Sequence, residues 1–279
     1  MIVDGKLIAQ LIKEQVASYT QTRHLPLVLG IVVVGDDSVI ENFVRIKKRV
    51  AIDVGITLCE FRFPENIDGE TLLREVTKIA TDATLDGLII QLPLPLHIET
   101  PTILNAVPLD KDVDMLSANA LAEFSQGRAK ILPPVAGAIQ VILEHYRIGV
   151  AGKDVLVLGH GRLVGAPAAL FMRHNNAHVT VVDKAIAHLA HLTLEADIII
   201  SGVGQPGILK PEMLKKGVVL IDAGTSEDGG KIIGDADPRC ADVAAIFTPV
   251  PGGVGPITVS MIYKNVSMLT RARERSSEL

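Results

Sequence analysis

The stretch Val155–Pro167, VLVLGHGRLVGAP, decides the fold of this 279-residue chain. Its first residues, Val155–Gly159, are apolar or small, which is typical of a buried parallel strand. Gly161 and Gly165 then open a turn, and the pattern continues as a helix over Ala166–His174. A strand that leads through a glycine turn into a helix directs backbone N–H groups and a helix N-terminus at an anion. The stretch therefore predicts a phosphate-binding turn.

A second apolar strand, Val179–Val182, follows this helix and ends in Asp183. Dinucleotide-binding units place an acid at this position, where it binds the ribose hydroxyls. The glycine spacing, Gly159-x-Gly161-x-x-x-Gly165, is one residue longer than the usual fingerprint. A glycine-bearing turn in another kind of α/β domain therefore stays a competing interpretation.

The composition is that of an ordinary soluble globular protein, with 48% hydrophobic and 21% charged residues. Only 3% of the residues are aromatic and none is Trp, so we expect an aliphatic core. The net charge of −5 argues against nucleic-acid binding. Cys59 and Cys240 fit no metal or redox spacing, which favours a reducing, cytoplasmic compartment. Met1–Gln10 lacks a signal-peptide layout and no apolar run is long enough to span a bilayer, so we expect no membrane association.

Helix and strand patterns alternate along the chain, which predicts helices packed on mostly parallel sheets. Pro133–Pro134 interrupts the alternation, and a second series contains the glycine turn. We therefore expect two α/β domains, of which the second is Rossmann-like. The Pro- and Gly-rich stretch Pro249–Pro256 is expected to be irregular. The other predicted elements are helices at Lys6–Tyr19, Glu41–Val54, Asp68–Ala83, Ala136–Tyr146 and Val259–Arg275, and strands at Val28–Val34, Thr57–Phe63, Leu88–Gln91, Asp197–Ser201, Val218–Asp222 and Ala244–Phe247.

Specific motifs occur nearly from end to end. They are DGKLIA at Asp4–Ala9, VGDD at Val34–Asp37, FVRIK at Phe43–Lys47, DGLIIQLPLP at Asp86–Pro95, KDVD at Lys111–Asp114, RLVGAP at Arg162–Pro167, GVGQPG at Gly202–Gly207 and TPVPGGVGPIT at Thr248–Thr258. Together they resemble the bifunctional methylenetetrahydrofolate dehydrogenase/methenyltetrahydrofolate cyclohydrolase family. The pairing of QLPLP with TPVPGGVGPIT is highly specific to that family.

The resemblance implies a fold and a reaction. It implies a folate-binding catalytic domain over residues 1–136, completed by a C-terminal helix over 257–279, and an NAD(P)-binding domain over 137–256. It further implies a deep cleft between the two domains in which the folate would lie against the nicotinamide. The family oxidises 5,10-methylenetetrahydrofolate to the 5,10-methenyl form and usually hydrolyses that to 10-formyltetrahydrofolate. It also implies a cytoplasmic homodimer.

Three residues match the family's catalytic positions. Lys47 matches the lysine that acts as general acid and base, which requires a lowered pKa or a hydrogen-bond network near neutral pH. Gln91 matches the glutamine that holds this lysine without adding a charge. Asp114 matches the acid that binds the pteridine ring, where a carboxylate can accept two hydrogen bonds. Without the resemblance, Lys47 reads as a solvated lysine of the basic helix RIKKR, and Asp114 as an acid of a solvated loop.

The remaining candidate site residues also follow from the resemblance, with glycines that allow a close backbone approach. A tight loop between domains is the competing structural interpretation of these glycines. The substrate-binding candidates are Phe43, Pro93, Gly252, Gly255 and Pro256. The cofactor-binding candidates are Gly159, His160, Gly161, Arg162, Val164, Gly165, Asp183, Lys184, Ser201, Gly202, Gly204 and Gly253.

The cofactor itself stays open at this point. The resemblance implies NADP, whereas Asp183 favours the free ribose hydroxyl of NAD and repels a 2′-phosphate. Lys184 acts in the opposite direction. His188 and His191 lie three residues apart, but no carboxylate or cysteine joins them at ligand spacing, so we expect no metal site.

The chain departs from the family at its candidate site. Most of these departures remove a polar group or add bulk, so we hypothesise that dehydrogenase activity survives and cyclohydrolase activity is weakened. One alternative is a degenerate paralogue that binds folate or dinucleotide without turnover. Another is a dehydrogenase of small carboxylates, which would need an arginine to bind the carboxylate; the sequence has no candidate arginine next to Gln91 or Asp114. The departures are Ile40 for serine, Phe43 for tyrosine, Met115 for glycine, Leu132-Pro133-Pro134 for Cys-Thr-Pro and His160-Gly161 for Arg-Ser.

Overall fold

The computed structural model describes residues 1–183, 188–228 and 231–277. The chain divides into two compact units. The first unit comprises Leu11–Pro134 and Val259–Leu279, and the second comprises Met1–Gln10 and Val135–Thr258. Both units are α/β, as the alternating pattern predicts. Elements of the first half are α1 (Gly5–Gln21), β1 (Leu27–Val34), α2 (Ser38–Val54), β2 (Ile56–Phe63), α3 (Gly69–Ala80), β3 (Gly87–Ile90), α4 (Thr100–Asn105) and α5 (Ala118–Ser125).

The second half adds the remaining helices and strands, together with 3-10 turns at Pro211–Met213 and Pro238–Asp242. Its elements are α6 (Pro134–His145), β4 (Asp154–Leu158), α7 (Gly165–His174), β5 (His178–Val182), α8 (Leu189–Glu195), β6 (Ile198–Ser201), β7 (Val219–Asp222), β8 (Ser226–Asp228), β9 (Lys231–Ile233), β10 (Ile246–Phe247) and α9 (Val254–Ser277).

A three-stranded parallel sheet in the order β2-β1-β3 lies at the centre of the first unit. The central strand, LVLGIVVV, is buried along nearly its whole length, which explains its continuous apolar run. The apolar side of α3, which includes Leu72 and Val76, packs into the same core as Val32 and Ile90. Gln91 directly follows the carboxyl end of β3, so the sheet fixes the position of its Cα.

The second unit contains a five-stranded parallel sheet in the order β10-β7-β6-β4-β5. The chain moves from β4 to β5 on one side and then to β6 on the other. This reversal creates a topological switch point at the carboxyl ends of β4 and β6, which is where open α/β sheets bind ligands. The predicted Rossmann-like fold of this unit is confirmed. An antiparallel pair, β8 with β9, lies outside this sheet.

Several helix ends follow from local capping. Asp37 accepts hydrogen bonds from the backbone N–H groups of Val39 and Ile40, so α2 begins three residues earlier than predicted. Gly55 ends α2 with a φ of 69°, a left-handed conformation that favours glycine. Asp68 is the N-cap of α3, and its carboxylate accepts a hydrogen bond from the Thr71 N–H.

Other boundaries correct the sequence-based expectations. The helix α3 ends at Ala80 rather than Ala83. The stretch Pro249–Pro256 is not wholly irregular, because α9 begins at Val254. Pro256 occupies the first turn of that helix, where a missing N–H costs no intrahelical bond. None of the helices in the described part of the chain combines the length and apolarity needed to cross a membrane.

Candidate active site

Lys47 lies on the buried side of α2, with only 9% of its surface exposed. Its ammonium nitrogen Nζ donates to Oε1 of Gln91 at 2.9 Å. The Gln91 amide nitrogen in turn donates to the Leu92 carbonyl at 2.7 Å, which fixes the orientation of the amide. Phe43, one helical turn earlier, has its ring centroid 6.0 Å from the lysine Nζ. The structure thus brings together three of the residues that the sequence singles out.

Burial and neighbouring charges determine the protonation of this cluster. Burial lowers the pKa of Lys47, and the charge of Asp114 partly opposes this effect. Burial raises the pKa of Asp114 to about 6, against the lowering effect of Lys47 and with a further increase from Asp112. A buried amine with a lowered pKa can exchange a proton near neutral pH, which is what a general acid and base requires.

The loop that carries Asp114 is organised by a neighbouring buried acid, Asp112. Asp112 accepts hydrogen bonds from the backbone N–H groups of Leu116 at 3.2 Å and Ser117 at 2.8 Å. Met115, directly before Leu116, adopts a φ of 59°, in the left-handed region that favours glycine. Met115 is 1% exposed, so its side chain fills the core while its backbone is strained. The glycine-to-methionine departure noted at this position therefore carries a conformational cost beside Asp114.

Helix α9 contributes two buried polar side chains that the sequence analysis missed. The Tyr263 hydroxyl donates to the backbone carbonyl of Lys47 at 2.6 Å. The Asn265 amide donates to the carbonyls of Val113 and Leu132, at 2.9 Å each. Polar residues inside a mostly apolar helix are the signal that could have identified them.

The proline loop after β3 is partly accessible. Pro93 is exposed, whereas Leu94 is buried in the core of the first unit. The chain therefore anchors the loop through Leu94 and leaves the proline ring on the surface, close in sequence to Gln91.

In the second unit, close packing explains the glycines of the turn between β4 and α7. Gly159 has a φ of +97°. A Cβ on Gly165 would lie 2.0 Å from the Gly159 carbonyl oxygen, and one on Gly202 would lie 2.3 Å from Cγ1 of Val164. Val164 precedes α7 without a side-chain hydrogen bond to the helix N-terminus. This turn has the dense packing and the uncapped helix start that fit a dinucleotide phosphate.

The exposed side of the same turn carries the remaining cofactor-binding candidates. His160, Gly161 and Arg162 are all exposed, and no atom lies within 4 Å of a Cβ built on Gly161. Asp183 is exposed at the end of β5, as the spacing predicts. Lys184, the residue expected to oppose its charge, lies outside the described residues.

Ser201 ends β6 and is completely buried. Its hydroxyl donates to Oδ2 of Asp235 at 2.6 Å, and the same carboxylate accepts the backbone N–H groups of Val203 and Gln205. Gly204 lies within this loop with a φ of 64°. The serine side chain therefore holds the loop in place instead of presenting its hydroxyl to the surface.

The two glycines before α9 are held by backbone hydrogen bonds. The Gly252 carbonyl accepts the Gly5 N–H at 3.0 Å, and the Gly253 N–H donates to the Pro249 carbonyl at 2.7 Å. A Cβ on Gly253 would lie 2.6 Å from that carbonyl oxygen, whereas nothing lies within 4 Å of a Cβ on Gly255. Gly255 and Pro256 belong to the first turn of α9.

The histidines form no metal cluster in the part of the chain that the structure describes. His188 is the N-cap position of α8, and His191 faces Glu195 of the same helix at 3.6 Å between Nδ1 and Oε1. Both histidines are exposed.

Two family models match the chain. The model described as tetrahydrofolate dehydrogenase/cyclohydrolase, catalytic domain, matches residues 3–114, and the model described as tetrahydrofolate dehydrogenase/cyclohydrolase, NAD(P)-binding domain, matches residues 133–274. The bifunctional protein FolD of Aquifex aeolicus is 35% identical over 271 residues, which are 95% of this chain and 93% of that protein. The corresponding protein of Lactobacillus acidophilus is 36% identical over 97% of each chain.

Solved structures are similar over nearly the whole chain. The bifunctional FolD methylenetetrahydrofolate dehydrogenase/cyclohydrolase of Campylobacter jejuni is 30% identical, with a TM-score of 0.94 over 98% of this chain and 99% of that one. The Trypanosoma brucei enzyme, in complex with NADP cofactor and an inhibitor, is 31% identical, with a TM-score of 0.91 over 98% of each chain.

Proposed function

Since the chain belongs to the tetrahydrofolate dehydrogenase/cyclohydrolase family, we infer that it oxidises 5,10-methylenetetrahydrofolate and hydrolyses the resulting methenyl form in one-carbon folate metabolism. The observation that carries this inference is the buried Lys47 amine, held by Gln91 and coupled electrostatically to Asp114. The intact lysine–glutamine pair supports an enzyme over a non-catalytic paralogue.

We propose that the first domain binds the folate and the second binds the dinucleotide, with boundaries near residues 136 and 257. Asp114 binds the amino-pyrimidine edge of the pterin, and Pro93 forms part of the folate wall. Gly252, Gly255 and Pro256 allow the backbone to approach the substrate closely.

The cofactor is NADP in the Trypanosoma brucei relative, and we propose NADP for this chain. When bound, it would supply the acceptor for the hydride of the methylene carbon. The packed glycines of the β4–α7 turn would hold its phosphates, with the exposed residues His160 and Arg162 of the same turn beside them. The acid Asp183 makes NAD the second cofactor to assay, because it favours a free ribose hydroxyl.

In the hydrolytic step, Lys47 moves protons between water and substrate. Its neutral amine takes a proton from the water whose oxygen bonds to the methenyl carbon. The resulting ammonium returns that proton to N5 as the bond from N5 to this carbon breaks. The remaining hydroxyl proton passes to bulk water as the carbonyl bond forms, which leaves a neutral formyl group on N10. Gln91 keeps the amine pointed at the reacting carbon through both transfers.

The departures at the site bear mainly on this hydrolytic step. Hydride transfer depends on the orientation of two reactants, whereas water addition and ring opening depend on the lysine's proton transfer. Phe43 places an apolar ring beside the amine and brings no hydroxyl to it. We propose that hydrolysis is therefore weaker than dehydrogenation. In Phe43→Tyr, the hydrolytic rate should rise; an unchanged rate would contradict this account.

Absorbance of the methenyl product tests the proposed function. Purified protein is given 5,10-methylenetetrahydrofolate with NADP or NAD in parallel, and hydrolysis of added methenyltetrahydrofolate is followed separately. We expect reduction of NADP in the wild type and loss of hydrolysis in Lys47→Ala. A wild type that binds the dinucleotide but turns over neither substrate would reject the proposal.

We also propose that the enzyme acts as a homodimer in the cytoplasm, as the family resemblance implies. The free thiols of Cys59 and Cys240 are consistent with a reducing compartment. Sedimentation velocity at micromolar concentration distinguishes a dimer from a monomer.

A further inference from the structure

Tyr263 is a fully buried phenol within α9, and its hydroxyl has a specific partner. It donates to the backbone carbonyl of Lys47 at 2.6 Å. This carbonyl lies inside α2, and a carbonyl oxygen has a second lone pair that can accept a side-chain donor in addition to the helical N–H. The phenol therefore fixes the backbone of the residue whose amine carries the proposed chemistry.

Lys47 is held at both ends. Gln91 binds its Nζ, and Tyr263 binds its carbonyl, 216 positions away in sequence. Two residues further along α9, Asn265 donates to the Val113 carbonyl and so fixes the segment before Asp114. The C-terminal helix α9 thus fixes both the backbone at Lys47 and the segment before Asp114.

Lys47 and Tyr263 both feel the charge of Asp114. Asp114 acts on the lysine amine, and Asp112 acts on Asp114. Burial raises the pKa of the Tyr263 phenol, and the charge of Asp114 raises it further, so the phenol stays neutral and remains a hydrogen-bond donor. Phe43 contributes no hydroxyl, which leaves Gln91 and Tyr263 as the polar constraints that the structure shows on Lys47.

We propose that Tyr263 is a positioning residue for the hydrolytic step, acting through the backbone of Lys47 rather than on substrate. Its complete burial prevents contact with folate. This inference rests on the proposed function of Lys47 as the group that transfers protons during hydrolysis. Without the hydroxyl, the backbone at Lys47 becomes more mobile, and the lysine amine is aligned with the reacting carbon for a smaller fraction of the time.

The variant Tyr263→Phe removes the hydroxyl and keeps the ring. We expect kcat for methenyl hydrolysis to fall roughly three- to tenfold, the effect of one lost hydrogen bond, with KM unchanged. The dehydrogenase kcat should stay within about twofold of wild type, because hydride transfer depends less on the lysine. Tyr19→Phe is the matched control, since that hydroxyl bonds Glu274 on the same helix, far along the chain from Lys47.

A partial loss of folding would lower both activities by the same factor, so the ratio of the two rates separates positioning from stability. Equal losses, or no loss of hydrolysis, would overturn the proposal. A low hydrolytic rate in Tyr19→Phe would do the same, because it would show that any loosening of α9 suffices.

A second readout does not depend on turnover. The pH dependence of Lys47 acylation by acetic anhydride, quantified by peptide mass spectrometry, gives the titration midpoint of its amine. We expect this midpoint to rise by about half a pH unit or more in Tyr263→Phe, because a less constrained amine is better hydrated. An unchanged midpoint would overturn the proposal. If wild type lacked both activities while the midpoint still shifted, the proposed function would fail and the coupling of Tyr263 to Lys47 would stand.

Discussion

Replacing Gln91 by glutamate should slow the hydrolytic reaction near neutral pH by keeping Lys47 protonated. The Nζ–Oε1 distance of 2.9 Å places the new carboxylate in direct contact with the ammonium. At an effective dielectric constant of 20, the attraction at this distance is ~6 kcal/mol. Burying the carboxylate costs several kcal/mol, so about 2 kcal/mol remains to stabilise the charged pair. That difference raises the lysine pKa by roughly 1.5 and lowers the fraction of neutral amine about 30-fold.

The assay is the pH profile of methenyl hydrolysis, recorded beside the rate of NADP reduction. In Gln91→Glu, we expect the limb that reports the lysine to move to higher pH and the rate at pH 7.5 to fall at least about tenfold. Gln91→Met should move the limb the other way, because it leaves the buried ammonium without an acceptor. Gln126→Glu adds the same charge at an exposed position, and it should change neither the position of this limb nor the rate at pH 7.5. Shifts of the two Gln91 variants in the same direction would refute the reasoning.

Three further predictions concern binding and stability. We propose that Asp114 binds the pterin as a carboxylate, and burial raises its pKa to about 6. KM for folate should therefore rise up to about tenfold per pH unit as the pH falls below 6, and Asp114→Asn should lose this dependence. Gly202→Ala should lower the free energy of unfolding by roughly 1–3 kcal/mol and weaken NADP binding, because the new Cβ would collide with Val164. Denaturant unfolding and a Kd titration measure these effects. Gly149→Ala is the control, because a Cβ there meets nothing within 4 Å. Asp183→Asn should raise the NADP-to-NAD ratio of kcat/KM a few-fold, and an unchanged ratio would exclude this acid as a determinant.

The sequence predicts the elements of the fold wherever burial is continuous or a turn requires glycine. The apolar run of β1 and the glycine turn after β4 needed no tertiary information, because both follow from local chemistry. Helices α4 and α5 were missed because they are short and their caps, Glu99 and Ser117, act at single positions. Strands β8 and β9 were missed for the same reason, as each has only three residues.

From the sequence, site residues could be predicted only where they belong to a motif of the family. The contact between Lys47 and Gln91 follows from the resemblance, but periodicity cannot bring together residues 44 positions apart. Tyr263 lies beyond any local pattern, since its partner is 216 positions away and accepts through the backbone. Ser201 was expected at the cofactor, yet its burial beside Asp235 depends on how two loops meet at the end of the sheet.

The departures at the site differ in what they change. Met115 keeps the backbone in a conformation that glycine would adopt freely, and the cost of about 1 kcal/mol is offset by the burial of its side chain. Phe43 brings no hydroxyl to the neighbourhood of Lys47. On the proposed mechanism, the first departure acts on the loop of Asp114 and so on folate binding, whereas the second acts on proton transfer. Hydride transfer needs the bound folate but depends less on the lysine, so we expect dehydrogenation to be retained while hydrolysis declines. The proposed hydrogen bond from Tyr263 to the Lys47 carbonyl would limit that decline.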